Sequence, residues 1–281
     1  MPAASESTTL QALKAQVDAW LEANLPDANL APESVHQAMR YAVLGGGKRL
    51  RPLLALTFGE ALGVDRGDLL PAAACVELIH ASSLIFDDLP AMDNDDFRRA
   101  RPSCHRAFGE ANAILAGCAL ITSAFGHLAV LHQSLGGDRA ARLVTEFAAA
   151  TSSVRGLVSG QASDLSPAHS RNLADVELTH GEKTGSIFAL ATVIPIVIAG
   201  GKAGEVDRCR SAGNLLGLAY QIADDIRDEG EPSERPAYTD VAVDGLARVH
   251  ELTERALKEL AAVSGGANPL LEALIAAVRS V

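Results

Sequence analysis

The sequence predicts an all-α protein, a single-domain bundle of about ten or more helices around a central cavity. Three observations support this fold class. Alanine and leucine, both strong helix formers, dominate the hydrophobic residues that make up 48% of the chain. Aromatic residues contribute only 4%, and runs of β-branched residues are few. Short turns rich in glycine, proline and aspartate separate the apolar segments, and no long linker divides residues 1–281.

The N-terminal half predicts five helices. Residues 1–9 are small and polar, and we expect them to be disordered. Pro26 follows the end of the first helix, the glycines at 45–47 end the second, and Pro52 begins the third at a position that tolerates proline. The fourth is nearly free of charge, which favours the centre of the bundle. The predicted helices span residues 10–23, 34–43, 52–62, 69–86 and 111–135.

The C-terminal half predicts six more helices. Four of them span residues 140–159, 173–184, 186–199 and 205–229. Two more lie within 240–281 and are separated at 264–266. The most apolar run, 187–199, contains Pro195 and is too short to cross a bilayer, so we expect a buried helix and no membrane span.

Composition excludes some classes of function. The net charge of −11 argues against a nucleic-acid-binding surface, which requires a basic face. It fits a soluble protein, and since no signal peptide is visible we expect a cytoplasmic location. The cysteines form no CxxC pair and no zinc-ligand spacing with histidine, so we expect small buried residues at Cys75, Cys104, Cys118 and Cys209.

An acidic motif ends the helix predicted over 205–229. Asp224 and Asp228 are four residues apart and share one helix face, and an apolar run precedes them. Carboxylates stacked in this way repel each other, and hard oxygen ligands suit magnesium. A solvated acidic helix end is an equally good interpretation of this motif taken alone.

A second acidic motif follows the helix predicted over 69–86. Asp87 and Asp93 are six residues apart and do not share a face of a straight helix. Pro90 lies between them, and we expect the helix to break there so that the chain brings Asp93 back toward Asp87. Two such motifs predict helix ends that face each other across a cavity, where magnesium ions could hold a diphosphate and assist its departure.

Basic residues accompany these motifs. Lys48 and Arg51 follow the three glycines at 45–47, which is a plausible anion site without the pattern of a Walker loop. Arg98 and Arg99 follow the Asp87 motif, where neutralising the aspartates is an equally good role. His80 precedes Asp87 by two helical turns, and a lone helical histidine is more often structural.

Five stretches, in this order, resemble the trans-type polyprenyl synthase family, specifically its bacterial short-chain members. They are GGGKRLRP, ELIHASSLIFDDLPAMDNDDFRRARPSCH, GEANAILAG, EKTG and LAYQIADDIRD, and together they reach from residue 45 to 228.

The resemblance implies a role for each matching residue. Asp87, Asp93, Lys183 and Asp224 would be catalytic, and the implied magnesium ligands, for about three ions, are Asp87, Asp88, Asp93, Asp224 and Asp228, with Asp225 in support. Isopentenyl diphosphate would be held by Lys48, Arg51, His80 and Arg99. The allylic diphosphate would be held by Arg98, Lys183, Thr184 and Gln221.

The resemblance also implies a homodimer and a product. Ser82 and Ser83 lie about one turn before Asp87, where farnesyl-forming relatives often carry an aromatic side chain. Two serines leave room for a longer chain, so we expect geranylgeranyl diphosphate (C20), with farnesyl diphosphate (C15) second. A Ser82→Phe variant should shorten the product.

The chain departs from the family's pattern after Asp228. The lysine-bearing loop that usually follows is missing or severely shortened, and no lysine occurs between Asp224 and Leu257. Phe86, Ala100 and Cys118 replace a usual His, Gly and Asp. Besides an active synthase, a weakly active or regulatory subunit of a heteromeric prenyltransferase is therefore an alternative. A class I terpene cyclase is a third, although its usual second motif is absent.

Overall fold

The computed structural model describes residues 4–166, 172–227 and 244–279, and it confirms the all-α class. The first eight helices are α1 Ala4–Asn24, α2 Glu33–Leu44, α3 Leu50–Ala61, α4 Arg66–Asp87, α5 Cys104–Phe108, α6 Glu110–Val130, α7 His132–Leu135 and α8 Gly137–Thr151. The others are α9 Leu157–Asp164, α10 Leu173–His180, a π-helical turn Gly181–Gly185, α11 Ser186–Ile198, α12 Ala203–Arg227, α13 Gly245–Ser264 and α14 Pro269–Arg279.

Helices α4 and α11 form the centre of the bundle. α4 contacts α1, α2, α3, α6 and α11, and α11 also contacts α3, α8 and α12. All residues of α11 are buried, as the sequence predicts for its apolar run. A Cβ placed on Gly217 of α12 would lie 2.4 Å from the Cα of Gly185. Glycine therefore allows α12 to pack directly against the π-helical turn.

The structure corrects two of the predicted helices. α1 begins at Ala4, inside the stretch that we expected to be disordered, although four of its first six residues are serine or threonine, which favour helix only weakly. The helix predicted over 140–159 is two helices, α8 and α9. The hydroxyl of Ser152 donates to the carbonyl of Val154 and accepts from its N–H, which replaces helical bonding at the break.

A short hairpin lies between α4 and α5, where the sequence analysis predicted no element. Strand β1 (Phe97–Arg98) pairs antiparallel with strand β2 (Arg101–Pro102). The two turn residues, Arg99 and Ala100, both have positive φ, 53° and 59°. Positive φ at both positions is typical of a type I′ turn, whose twist matches that of the strands.

Three segments are long and apolar enough to cross a membrane by length and composition: Arg66–Asp87, Glu110–Leu135 and Leu173–Ile198. The predicted apolar run, 187–199, overlaps the last of these segments. The first and third segments are largely buried in the bundle, which accounts for their composition. Glu110–Leu135 is the least buried of the three. Cys118 on this segment is exposed, contrary to prediction, whereas the other three cysteines are buried.

Candidate active site

Two adjoining cavities lie beside the C-terminal ends of α4 and α12. The carboxylate cavity has a volume of about 410 Å³ and is lined by Arg51, His80, Ser83, Leu84, Asp87, Asp93, Arg98, Arg99, Leu157, Lys183, Thr184, Ile187, Tyr220, Gln221, Asp224 and Arg227. The cationic cavity, of about 490 Å³, is lined by Gly45, Gly47, Lys48, Arg49, Leu50, Arg51, Glu77, His80, Arg99, Tyr220 and Arg227. Five side chains line both cavities, so the two spaces meet.

The Asp87 motif has the backbone geometry that the sequence predicts. α4 ends at Asp87, and Pro90 lies in the turn that follows. The backbone N–H of Asp93 donates to the backbone carbonyl of Asp87 at 2.9 Å, so the chain folds back on the helix end. Asp87 and Asp93 consequently line the same cavity despite their six-residue separation.

Asp88 does not line that cavity. Its carboxylate accepts from Nε of Arg98 at 2.9 Å, and Arg98 also donates to Asp95 at 3.0 Å. Burial raises the pKa of Asp88, although the bonds from Arg98 oppose this shift. The position does not favour Asp88 as a metal ligand, and we expect it to support the site by holding Arg98 at the cavity wall.

The second motif provides Asp224 to the carboxylate cavity from α12. Asp225 faces elsewhere: Gln221 donates to it at 3.0 Å, and Nε2 of His180 lies 3.8 Å from it. The hydroxyl of Thr184 in turn donates to Oε1 of Gln221 at 2.9 Å. This chain of contacts ties α12 to α10 and the π-helical turn. Asp228, the remaining predicted ligand, lies outside the described residues.

The cationic cavity brings together Lys48, Arg51, His80 and Arg99, the four residues implied to hold isopentenyl diphosphate. Arg99 donates to the carbonyl of Gly46 and packs against Gly47, where a Cβ would lie 2.9 Å from its guanidinium. Because Gly47 has no side chain, the guanidinium of Arg99 can pack against the backbone there. The hairpin that carries Arg99 therefore contacts the glycine turn at 45–47.

Arg51 packs against two aromatic rings at the wall of this cavity. Its guanidinium carbon lies 4.6 Å from the ring centre of Phe188 and 5.9 Å from that of Tyr220. Nη1 donates to Nε2 of His80 at 3.2 Å. Burial and the charge of Arg51 lower the pKa of His80 well below 6.5, so the imidazole is neutral and accepts this bond. His80 thus orients an arginine and adds no charge of its own.

A buried ion pair fixes the turn that carries Lys48 and Arg51. Nη1 of Arg49 donates to Glu77 of α4 at 2.6 Å, and Nε donates to Asp18 of α1 at 2.8 Å. Nη2 donates to the carbonyl of Val43 at 2.7 Å. The sequence analysis missed Glu77, although a lone carboxylate inside an apolar helix is itself a signal of a buried partner.

The π-helical turn places Lys183 and Thr184 in the carboxylate cavity. Such turns often occur at functional sites. Nζ of Lys183 lies 2.7 Å from Asp164 of α9, a partner that sequence reasoning also missed. α9 approaches because Gly160 has no side chain: a Cβ there would lie 2.2 Å from the backbone nitrogen of Lys183.

The two serines of the predicted chain-length pocket differ in position. Ser83 lines the carboxylate cavity, and its hydroxyl donates to the carbonyl of His80 at 2.9 Å. Ser82 is only 1% exposed and is not among the residues that line either cavity. Of the two, Ser83 is therefore the better position at which to alter the cavity.

The carboxylates fit magnesium that is shared with a substrate. Among the described residues, no three His, Cys, Asp or Glu side chains converge closely enough to hold a metal ion by themselves. Magnesium commonly takes only one or two protein carboxylates and completes its shell with water and substrate phosphates. Asp87, Asp93 and Asp224 reach one cavity from two different helix ends, which leaves space for those further ligands.

The chain is similar to one family model and to several known proteins. The family model described as "Polyprenyl synthetase" matches residues 32–242. Geranylgeranyl pyrophosphate synthase 4 of Arabidopsis thaliana is 44% identical over 209 residues, which is 73% of this chain and 55% of the plant protein. The chain thus spans about half of that relative's length.

The chain is also similar to a second plant protein and to a solved bacterial structure. Heterodimeric geranylgeranyl pyrophosphate synthase large subunit 1 of Arabidopsis thaliana is 39% identical over 81% of this chain and 66% of its own length. The apo crystal structure of an FPP/GFPP synthase from Zymomonas mobilis is 29% identical, with a TM-score of 0.85 over 99% of this chain and 98% of that one.

Proposed function

This chain belongs to the polyprenyl synthetase family, and on that premise we propose that it is a prenyltransferase that joins isopentenyl diphosphate to an allylic diphosphate. The observation that carries the proposal is the pair of adjoining cavities. One is lined by carboxylates from both acidic motifs, and the other by several cations without those carboxylates. The reaction joins two diphosphate substrates, of which only one loses its diphosphate. A cavity with metal-binding carboxylates suits the diphosphate that leaves, and a cavity with cations alone suits the diphosphate that is retained.

The carboxylate cavity is the proposed allylic site. Asp87, Asp93 and Asp224 would hold magnesium, for which we retain the implied number of about three ions. Bound magnesium would supply positive charge that stabilises the departing diphosphate. Lys183 and Thr184 line the same cavity and would donate hydrogen bonds to diphosphate oxygens.

The cationic cavity is the proposed site of isopentenyl diphosphate. Lys48, Arg51 and Arg99 provide charge for a diphosphate that is retained throughout the reaction. Because the two cavities meet, the double bond of isopentenyl diphosphate can approach the allylic carbon that is losing its leaving group.

The bonds change in three stages. The carbon–oxygen bond to the allylic diphosphate breaks, and the isopentenyl double bond then attacks the allylic cation to form a carbon–carbon bond. A proton leaves the new cation to form the product's double bond, and the released diphosphate is the proposed acceptor. Leu84, Leu157 and Ile187 line the cavity, and around a bound substrate these apolar side chains would help to keep out the water that quenches the cation.

We propose geranylgeranyl diphosphate as the main product and farnesyl diphosphate as the second. The small Ser83 leaves the cavity open beside Asp87. Ser83→Phe should therefore shift products toward shorter chains, and Ser83→Ala, which keeps the space, serves as the control. An unchanged product length in Ser83→Phe would place the limit elsewhere.

A homodimer is the proposed assembly, and α6 provides the proposed interface. Ile114, Leu115 and Val130 are 43%, 54% and 56% exposed on this apolar helix. Leu115→Asp should give a monomer in analytical ultracentrifugation. Val154→Asp changes an equally apolar exposed residue outside α6 and should leave the dimer intact.

Product analysis tests the function. The purified chain is incubated with magnesium, isopentenyl diphosphate and dimethylallyl, geranyl or farnesyl diphosphate in turn, and the products are identified. Elongated linear diphosphates support the proposal. Elongation that appears only when a homologous subunit is added would indicate a heteromeric enzyme, for which the likeness to a heterodimeric large subunit is the observation in favour. A cyclic hydrocarbon would indicate a terpene cyclase.

A further inference from the structure

Arg227 is a cation inside the second acidic motif, which reads Asp224-Asp225-Ile226-Arg227-Asp228. It is the last residue of α12, and its side chain is 46% exposed. The guanidinium pairs with Asp224, one turn earlier on the same helix. Arg227 also lines both the carboxylate cavity and the cationic cavity.

The pair with Asp224 does not by itself explain why Arg227 also lines the cationic cavity. An exposed ion pair within one helix contributes little to stability. The same side chain borders the space occupied by Lys48, Arg51 and Arg99, where Asp224 is not part of the wall. An arginine at the junction of the two cavities is therefore placed to contact a ligand in either of them.

Two other arginines reach the same junction. Arg51 is buried against His80, Phe188 and Tyr220. Arg99 donates to the carbonyl of Gly46. The carboxylate that pairs with Arg227 is itself a proposed magnesium ligand. Metal binding would weaken the attraction between Asp224 and Arg227, and a planar guanidinium at the wall of both cavities matches two oxygens of a phosphate.

The sequence beyond α12 supplies no lysine for such a role. None occurs between Asp224 and Leu257, although the family's pattern leads one to expect a lysine-bearing segment there. We propose that Arg227 binds substrate diphosphate at the junction of the two cavities and provides, from α12 itself, the charge that such a lysine would have given. The proposal rests on the proposed function, because it takes both cavities as diphosphate sites.

Two variants and one control test it. Arg227→Met removes the charge and keeps the length of the side chain, whereas Arg227→Lys keeps the charge. Arg255→Met removes an exposed arginine that pairs with Glu251 within α13 and lines neither cavity. Calorimetric titration with isopentenyl diphosphate, in the presence of magnesium and without an allylic substrate, gives dissociation constants that do not depend on turnover. Circular dichroism confirms that each variant is folded.

We expect Arg227→Met to raise the dissociation constant by about tenfold or more, the effect of losing a charge-assisted hydrogen bond. Arg227→Lys should recover most of this loss, and Arg255→Met should match the wild type. In active enzyme, Arg227→Met should also raise the KM for the allylic diphosphate.

Unchanged dissociation constants and KM values in Arg227→Met, with only a lower magnesium requirement, would overturn the inference and leave Arg227 as a partner of Asp224. If Arg227→Lys bound isopentenyl diphosphate as weakly as Arg227→Met does, the charge of Arg227 would not be what binds the diphosphate. The proposed function fails separately, if the wild type binds its substrates and forms no elongated product.

Discussion

Replacing Glu77 with glutamine removes the carboxylate that lies against the buried guanidinium of Arg49. The two side chains are only 4% and 2% exposed, and Nη1 of Arg49 lies 2.6 Å from Oε1 of Glu77. Burial lowers the pKa of Arg49, but the charges of Glu77 and Asp18 outweigh it and raise the pKa overall. Arg49 therefore stays charged, and its charge depends on these two partners.

The magnitude follows from this burial. Breaking a buried ion pair by removing one partner typically costs about 3–5 kcal/mol, because a charge is left without compensation. Asp18 would remain 2.8 Å from Nε of Arg49, so we expect the lower end, about 3 kcal/mol. For a chain of this size, the expected fall in Tm is about 6–10 °C.

Thermal and urea unfolding, followed by circular dichroism, measure the effect. Glu60→Gln is the matched control, since Glu60 pairs with Arg66 at the surface with both side chains exposed. It should change the free energy of unfolding by less than about 1 kcal/mol. The double variant Arg49→Met/Glu77→Leu, which removes both charges, should regain most of the stability. Equal stabilities for Glu77→Gln and Glu60→Gln would refute the reasoning.

Three further predictions concern the hairpin and the cationic cavity. Ala100→Gly should raise the free energy of unfolding by about 0.5–1 kcal/mol in urea, because Ala100 has φ of +59° and glycine adopts this conformation without strain. Phe188→Leu should raise the KM for isopentenyl diphosphate by about threefold to thirtyfold in steady-state assays, because Phe188 holds Arg51 by a cation–π contact. His80→Asn should reduce the loss of stability on acidification. Burial and Arg51 lower the pKa of His80 below 6.5, so the unfolded chain takes up a proton that the folded protein does not, and wild-type stability falls as the pH drops below 6.5.

Each has a control and a contrary outcome. Ala107→Gly, inside helix α5, should destabilise, and a loss of stability in Ala100→Gly would show that its turn is not strained. Phe58→Leu alters a fully buried ring outside both cavities, and an equal KM change there would remove the special role of Phe188. His132→Asn alters an exposed histidine. If it changed the pH profile as much as His80→Asn does, His80 would not be the group responsible.

Local patterns predicted most of the framework. The end of α4 at Asp87 and the burial of α11 follow from proline, charge and hydrophobicity within a few residues. The return of Asp93 to Asp87 was also predictable, because Pro90 cannot continue the helix. The break after α8 was not. It depends on hydrogen bonds of Ser152, and serine occurs in many helices without such bonds.

Contacts between distant residues were the least predictable part of the site. Arg49 and Glu77 are 28 residues apart, and Thr184 and Gln221 are 37 apart. The partnership of Lys183 with Asp164 depends on a π-helical turn and on the missing side chain of Gly160. The spacing of residues within one helix does not predict these contacts. Each contact depends on how two separate elements pack together, whereas a sequence pattern describes one element at a time.

The initial rate of labelled isopentenyl diphosphate incorporation with farnesyl diphosphate and magnesium tests the central claim most directly, that both acidic motifs act on one allylic diphosphate. The rate is compared for the wild type, Asp87→Asn, Asp224→Asn and the double variant, all shown to be folded. We predict that each single variant loses about 100-fold or more. The double variant should lose little more of the rate than either single variant, because the effects of substituting residues that act as a unit are not additive. A wild-type rate in either single variant, or losses that multiply fully in the double variant, would contradict the claim.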